Sequence, residues 1–214
     1  MVVGIMINGV IRDYLNQISN VHTKYFPPNE GEEPIKPKGY NLSEWLEFPL
    51  ETNGSSEIEF NPTFSEDNGD ESLVTEYKVV ETRTTIDEFL YERCSLEVFG
   101  SASESEPNIV NHLNNMIGDN EGVEFVLFGE DKGLSIPATH FFLSKTSSKC
   151  KNIVFYSEAS EVWAHCDVLV TDNKNDLKTK PNKKTTIMVD REHNKGVICD
   201  IRVDSLKDLN LSEI

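Results

Sequence analysis

The sequence predicts an α/β fold: a parallel sheet with helices on both faces, and an α+β insertion in its first half. Two observations carry this. Short apolar runs rich in β-branched residues recur at Val2 to Ile7, Val123 to Phe128, Ile153 to Tyr156, Val168 to Val170 and Thr185 to Val189. The segments between them have helical spacing or helix length, so the chain reads as βαβ units, which build parallel sheets with right-handed crossovers.

Val2 to Ile7 is apolar at every position but Gly4 and ends at Asn8-Gly9, the pattern of a strand buried on both faces. Ile11, Tyr14, Leu15, Ile18, Val21, His22 and Tyr25 then keep helical spacing until Pro27-Pro28 stops it. From Asn29 to about Ser105 the character changes. Pro34 and Pro37 mark a loop, Asn41 to Glu44 resembles a helix start, and Glu51 to Tyr77 contains no Lys or Arg. Leu73 to Arg83 alternates like a strand, and Thr85 to Glu88 forms a capping box ahead of Phe89 and Leu90. Regularity returns with Ile109 to Ile117, a helix closed by Gly118, and with a helix over Pro137 to Lys149 whose proline suits a first turn. A short helix is expected at Ser160 to Ala164, a strand at Val197 to Val203 and a helical turn around Leu206. The expected division is a core of residues 1–28 and 106–195, a cap-like acidic insertion over 29–105, and a C-terminal extension over 196–214.

Among 214 residues, 37 Asp and Glu oppose 20 Lys and Arg, a net charge of −17. Such a chain repels phosphate backbones and anionic lipid, so nucleic acid and membrane are not expected partners. The 37% hydrophobic share still provides for a core. Four cysteines, Cys94, Cys150, Cys166 and Cys199, form no C-x-x-C pair and predict reduced thiols. The apolar start lacks a basic n-region, so no signal peptide is expected, and no apolar run nears the ~20 residues of a membrane helix. His165-Cys166-Asp167 would need a fourth ligand from elsewhere to hold a metal.

Three segments in order carry a resemblance: Gly4-Ile-Met-Ile-Asn-Gly-Val-Ile-Arg-Asp13; Pro137-Ala-Thr-His-Phe-Phe-Leu-Ser-Lys145; and Phe155-Tyr-Ser-Glu158 with Asp167-Val-Leu-Val-Thr171. Together they resemble a phage-encoded branch of the haloacid-dehalogenase-like (HAD-like) hydrolases, which implies a Rossmannoid core with a cap in the place of the insertion. The resemblance spans the first 26 or so residues and roughly Leu96 to Asp190. It implies an aspartate nucleophile at the tip of the first strand, an acid/base aspartate two residues on, a hydroxyl after the second strand, a lysine near the third motif, and acids for Mg²⁺. A carboxylate would attack phosphorus while Mg²⁺ and lysine neutralise the transferring group.

At those positions this chain has Met6, Asn8, Gly129 and Ile136. A thioether neither holds Mg²⁺ nor moves a proton, and an amide cannot serve as a general acid. Asp13, Asp167 and Asp172 remain as a vestigial acidic site. The resemblance with these replacements implies a pseudoenzyme without metal or cofactor. Its expected partners are other proteins, in the neck, tail or head-tail region of a phage virion or in host cytoplasm, with an oligomer or ring compatible with such a role. Two alternatives stay open: a phosphatase or 5'-nucleotidase using Asp13, Asp167 and Asp172, and a non-catalytic nucleotide or phosphate sensor at the helix start after Gly9.

Overall fold

The computed structural model describes residues 1–46, 48, 50–52 and 81–211. Six strands form one all-parallel sheet in the order β5-β4-β1-β6-β7-β8: β1 is Val2–Met6, β4 Glu124–Glu130, β5 Ile153–Tyr156, β6 Val168–Thr171, β7 Thr185–Val189 and β8 Ile201–Val203. Counted along the chain within the sheet, the order is 3-2-1-4-5-6, that of the doubly wound, Rossmann-like α/β fold. Its topological switch point lies between β1 and β6, paired from Val3↔Val168 to Ile5↔Val170.

The central strands are buried almost without alternation. Val3, Ile5, Leu169, Val170, Ile187 and Val189 are each fully buried, because both faces of the sheet are covered. The principal helices are α1 (Tyr14–Tyr25), α2 (Ile109–Asp119) and α3 (Ser135–Lys145). α1 buries Ile18, Val21 and His22, and α2 buries Ile109, Val110 and Leu113. α3 begins two residues before Pro137, where a missing N–H costs nothing. Val10 and Ile11 precede α1 in a tight turn, in which the amides of Ile11 and Arg12 both donate to the Ile7 carbonyl. Residues after Thr85 enter helix at Ile86 and continue as wide π-type turns over Glu88–Arg93 and Leu96–Gly100.

The chain divides into two compact units, Met1–Leu46 with Ile86–Ile214, and Glu47–Thr85. Residues 29–46 and 86–105 therefore fall in the same unit as the sheet, not with Glu47–Thr85. The physical reason is burial: Leu42, Leu46, Phe89, Leu90, Val98 and Phe99 are all core side chains. In the smaller unit, β2 (Leu50–Thr52) pairs antiparallel with β3 (Glu81–Arg83). Apart from Glu51 and Thr52, the Lys/Arg-free stretch lies outside the described residues, as does most of the strand expected from Leu73.

The segment expected as a C-terminal extension supplies the sixth strand. β8 pairs parallel with β7 from Ile187↔Ile201 to Val189↔Val203, and Leu206 is buried in the main core. Ile201, Val203 and Leu206 are thus taken up by the sheet and its core, whereas Ile198 stays 91% exposed. No described helix is long and apolar enough to cross a membrane. All four cysteines are free thiols.

Candidate functional site

In doubly wound sheets, ligands bind outside the carboxyl ends of the strands at the switch point. Here that place lies between the β1 turn, Ile7 to Arg12, and the residues following β6, Asp172 and Asn173. Gly9 has φ +80°, and its amide donates to the Arg12 carbonyl at 2.9 Å. A Cβ at Gly9 would stand 2.1 Å from Asp172 Oδ1, so the turn and the aspartate are in direct contact. Gly9→Ala should cost about 1–3 kcal/mol from left-handed strain and displacement of Asp172, read as a lower denaturation midpoint.

The tip of β1 is closed by its own sequence. Met6 is 4% exposed in the core, and Asn8 is buried. Asn8 Oδ1 accepts from Arg12 Nε at 2.9 Å and from Arg12 Nη2. Arg12 is itself 1% exposed. Its Nη1 donates to the Phe99 carbonyl (2.7 Å) and Thr139 Oγ1 (3.2 Å), and its guanidinium lies 5.0 and 5.3 Å from the Phe99 and Phe142 ring centres. Burial lowers its pKa to about 10, with Glu130 opposing, so it stays charged at neutral pH. The side-chain oxygen of Asn8 is thus engaged by a buried cation.

The other expected positions diverge. Gly129 lies in β4, where a Cβ would meet Phe155 Cε1 at 2.8 Å, so the ring of β5 occupies the space a serine or threonine would need. Ile136 sits half-buried in the first turn of α3. Lys132, the nearest lysine in sequence, pairs with Asp87 at 2.8 Å and lies over the Tyr91 ring.

The three aspartates do not form one site. Asp167 precedes β6 at the amino-terminal edge of the sheet, where Oδ2 accepts the Val2 amide at 2.9 Å and Oδ1 pairs with Lys184 at 3.1 Å. The Val2 amide first, then Lys184, hold its carboxyl below the usual range. Asp172 follows β6 at the carboxyl edge, five residues on, or about 16 Å at strand rise. The reason is register: sequence neighbours at either end of a strand are on opposite edges of a parallel sheet. Asp13 flanks α1, with both carboxylate oxygens taken by Asn16 Nδ2 at 3.0 Å. Among the described residues, no three His, Cys, Asp or Glu side chains group as metal ligands.

Around Asp172 the structure assembles groups that no motif announced. Tyr40 Oη donates to Asp172 Oδ1 at 2.6 Å, and His193 Nε2 lies 3.3 Å from Oδ2. Asn194 Nδ2 donates to the Asp172 carbonyl at 2.8 Å. Burial, then Asp172, raises the Tyr40 pKa well above its ordinary value. Nearby Asp176 is 2% exposed, accepts from Thr171 Oγ1 at 2.5 Å, and is pushed by burial to a pKa of about 7. Tyr40 also begins an aromatic row, Tyr40-Tyr14-Phe99-Tyr91, with successive centroids 5.8, 5.7 and 5.4 Å apart. At its far end Tyr91 Oη donates to Glu130 Oε2 at 2.6 Å. The row is packed, stacked and anchored to an acid at each end. It can position chain segments, and burial raises the pKa of the Tyr40 and Tyr91 hydroxyls above the ordinary value, which keeps both protonated.

No protein-family model and no curated protein sequence matches the chain. The HAD-like and phage resemblance therefore stands on the quoted motifs.

Proposed function

We propose that this protein is a catalytically silent, HAD-like α/β domain that works by binding other proteins, as a structural component of a phage particle. The single observation that supports silence is the β1 tip, where Met6 is packed in the core and Arg12 grips the Asn8 oxygen from a buried position. The usual nucleophile and acid/base are replaced by groups that transfer no phosphoryl group and no proton. Asp13, Asp167 and Asp172, the acids of the phosphatase alternative, occupy separate places and cannot act as one unit. The phage setting rests on the resemblance and on fold-level analogy.

Two measurements test the reading. Hydrolysis of p-nitrophenyl phosphate with millimolar Mg²⁺ is expected to stay at background. The chain is also expected to be found in purified particles of the phage that encodes it, rather than only in the lysate. Turnover abolished by Asp172→Asn would overturn silence, and absence from particles would overturn the structural role.

Restoring carboxylates separates the two positions. Met6→Asp should lose at least ~3 kcal/mol, because its charge would be buried in apolar packing. Asn8→Asp should stay within about 1 kcal/mol of the parent, since Arg12 is already there to pair with it. Neither change, nor both together, is expected to yield phosphatase turnover. Denaturant midpoints and the same hydrolysis assay check this.

A further inference from the structure

We infer that the cleft between residues 38–45 and 173–178 binds a small anionic ligand with a planar aromatic ring, the chemistry of a nucleotide. Its volume of about 570 Å³ is that of a small-molecule site. Lys38, Lys174 and Lys178 all line it, in a chain whose net charge is −17. Lys174 and Lys178 are exposed and make no ion pair among the described residues. The one lining carboxylate, Glu44, is already engaged by Asn41 Nδ2 at 2.5 Å. Asp172 and Asp176 lie beneath, each 2% exposed and held by Tyr40, His193 and Thr171. The cleft therefore sets three lysines against one lining carboxylate, an excess of positive charge.

Its aromatic component is Trp45, half-buried, with Lys38 Nζ 5.6 Å from the ring centre. A flat ring beside a cation suits a ligand that carries both a ring and an anion. Both walls are built rather than loose. Tyr40 ties one wall to Asp172 and stacks on Tyr14, while Ser19 Oγ holds the Ile35 carbonyl at 2.6 Å. On the other wall, the Asn173 amide donates to Thr171 Oγ1 at 3.0 Å, and Asn173 Oδ1 accepts from the Asn175 amide at 3.0 Å. The cleft is also at the carboxyl end of β6, beside the switch point. This assignment stands apart from catalytic silence, because it depends on the lysines and Trp45 rather than on Met6 and Asn8.

The experiment titrates the full chain with adenosine monophosphate at low salt, reading tryptophan fluorescence and calorimetric heat, with phosphate release followed in the same samples. Trp163 is buried but donates its indole N–H to the Asp176 carbonyl at 3.3 Å, so the signal is assigned to Trp45 by its loss in Trp45→Leu. Saturable quenching is expected. Lys174→Ala with Lys178→Ala should weaken binding at least about tenfold, as two lost charges near an anion imply. Trp45→Leu should remove the preference for the monophosphate over inorganic phosphate, with calorimetry as the readout. Equal affinity of the parent for inorganic phosphate, no saturable heat, or binding untouched by the double substitution would each overturn the proposal. Phosphate release would count against silence and leave this site standing.

Discussion

Replacing Arg12 by methionine is expected to lower the free energy of unfolding by about 3–5 kcal/mol. The guanidinium serves three segments at once: Asn8 in the β1 turn, the Phe99 carbonyl in the π-helical segment, and Thr139 in α3. Methionine fills similar volume but leaves those acceptors buried without a donor, and the unpaired acceptors set the cost. Arg12→Lys should recover only part of the loss, because a single ammonium cannot reproduce the planar fork that reaches all three. Urea denaturation of the three proteins checks the ranking. A methionine variant within about 1 kcal/mol of the parent would mean that Arg12 does not organise the site.

Stability should fall as pH rises from about 4 to about 7, through the contribution of Asp176. Its folded pKa of about 7 lies above the ordinary 3.8 because burial disfavours the charged form, and Asp172 nearby adds to that. A raised carboxyl holds a proton in the folded state that the unfolded chain releases. Its contribution is complete below the unfolded value and lost as pH climbs through the folded one. Asp176→Asn removes the charge while retaining an acceptor for Thr171. At pH 8 the variant should be more stable than the parent by about 2–4 kcal/mol, and the difference should vanish near pH 4. Asp200 acts in the opposite sense at lower pH. Lys180 first, then the Thr186 amide, hold it at about 2, so its contribution is lost only in strong acid. Comparing parent and variant at each pH isolates Asp176. A constant difference from pH 4 to 8 would show that its pKa is unperturbed by folding.

These effects depend on residues that sequence patterns leave silent. An arginine following Val10 and Ile11 reads as the polar edge of an amphipathic segment. It is buried because Phe99 and Thr139 arrive from 87 and 127 residues away. Tyr40 fell within a stretch expected to be an insertion, yet it holds Asp172, 132 residues distant. His193 stood alone in sequence and meets the same aspartate through the β7 to β8 connection. Asp167 and Asp172 looked like neighbours, but the strand between them separates them.

The sequence by itself determined the α/β class and the strands β1, β4, β5, β6 and β7, because period, length and turn chemistry act over a few residues and need no distant partner. It also placed Met6 and Asn8 at the end of the first strand, since both are fixed by the adjacent Gly9 turn. Only the tertiary structure decided the strand order 3-2-1-4-5-6, the recruitment of Ile201–Val203 as a sixth strand, and the membership of residues 29–46 and 86–105 in the larger unit. Burial, charge pairing and the joining of Tyr40, Asp172 and His193 are likewise tertiary. Their energies come from surfaces removed from water by segments far apart in sequence, and no local pattern encodes which segments those are.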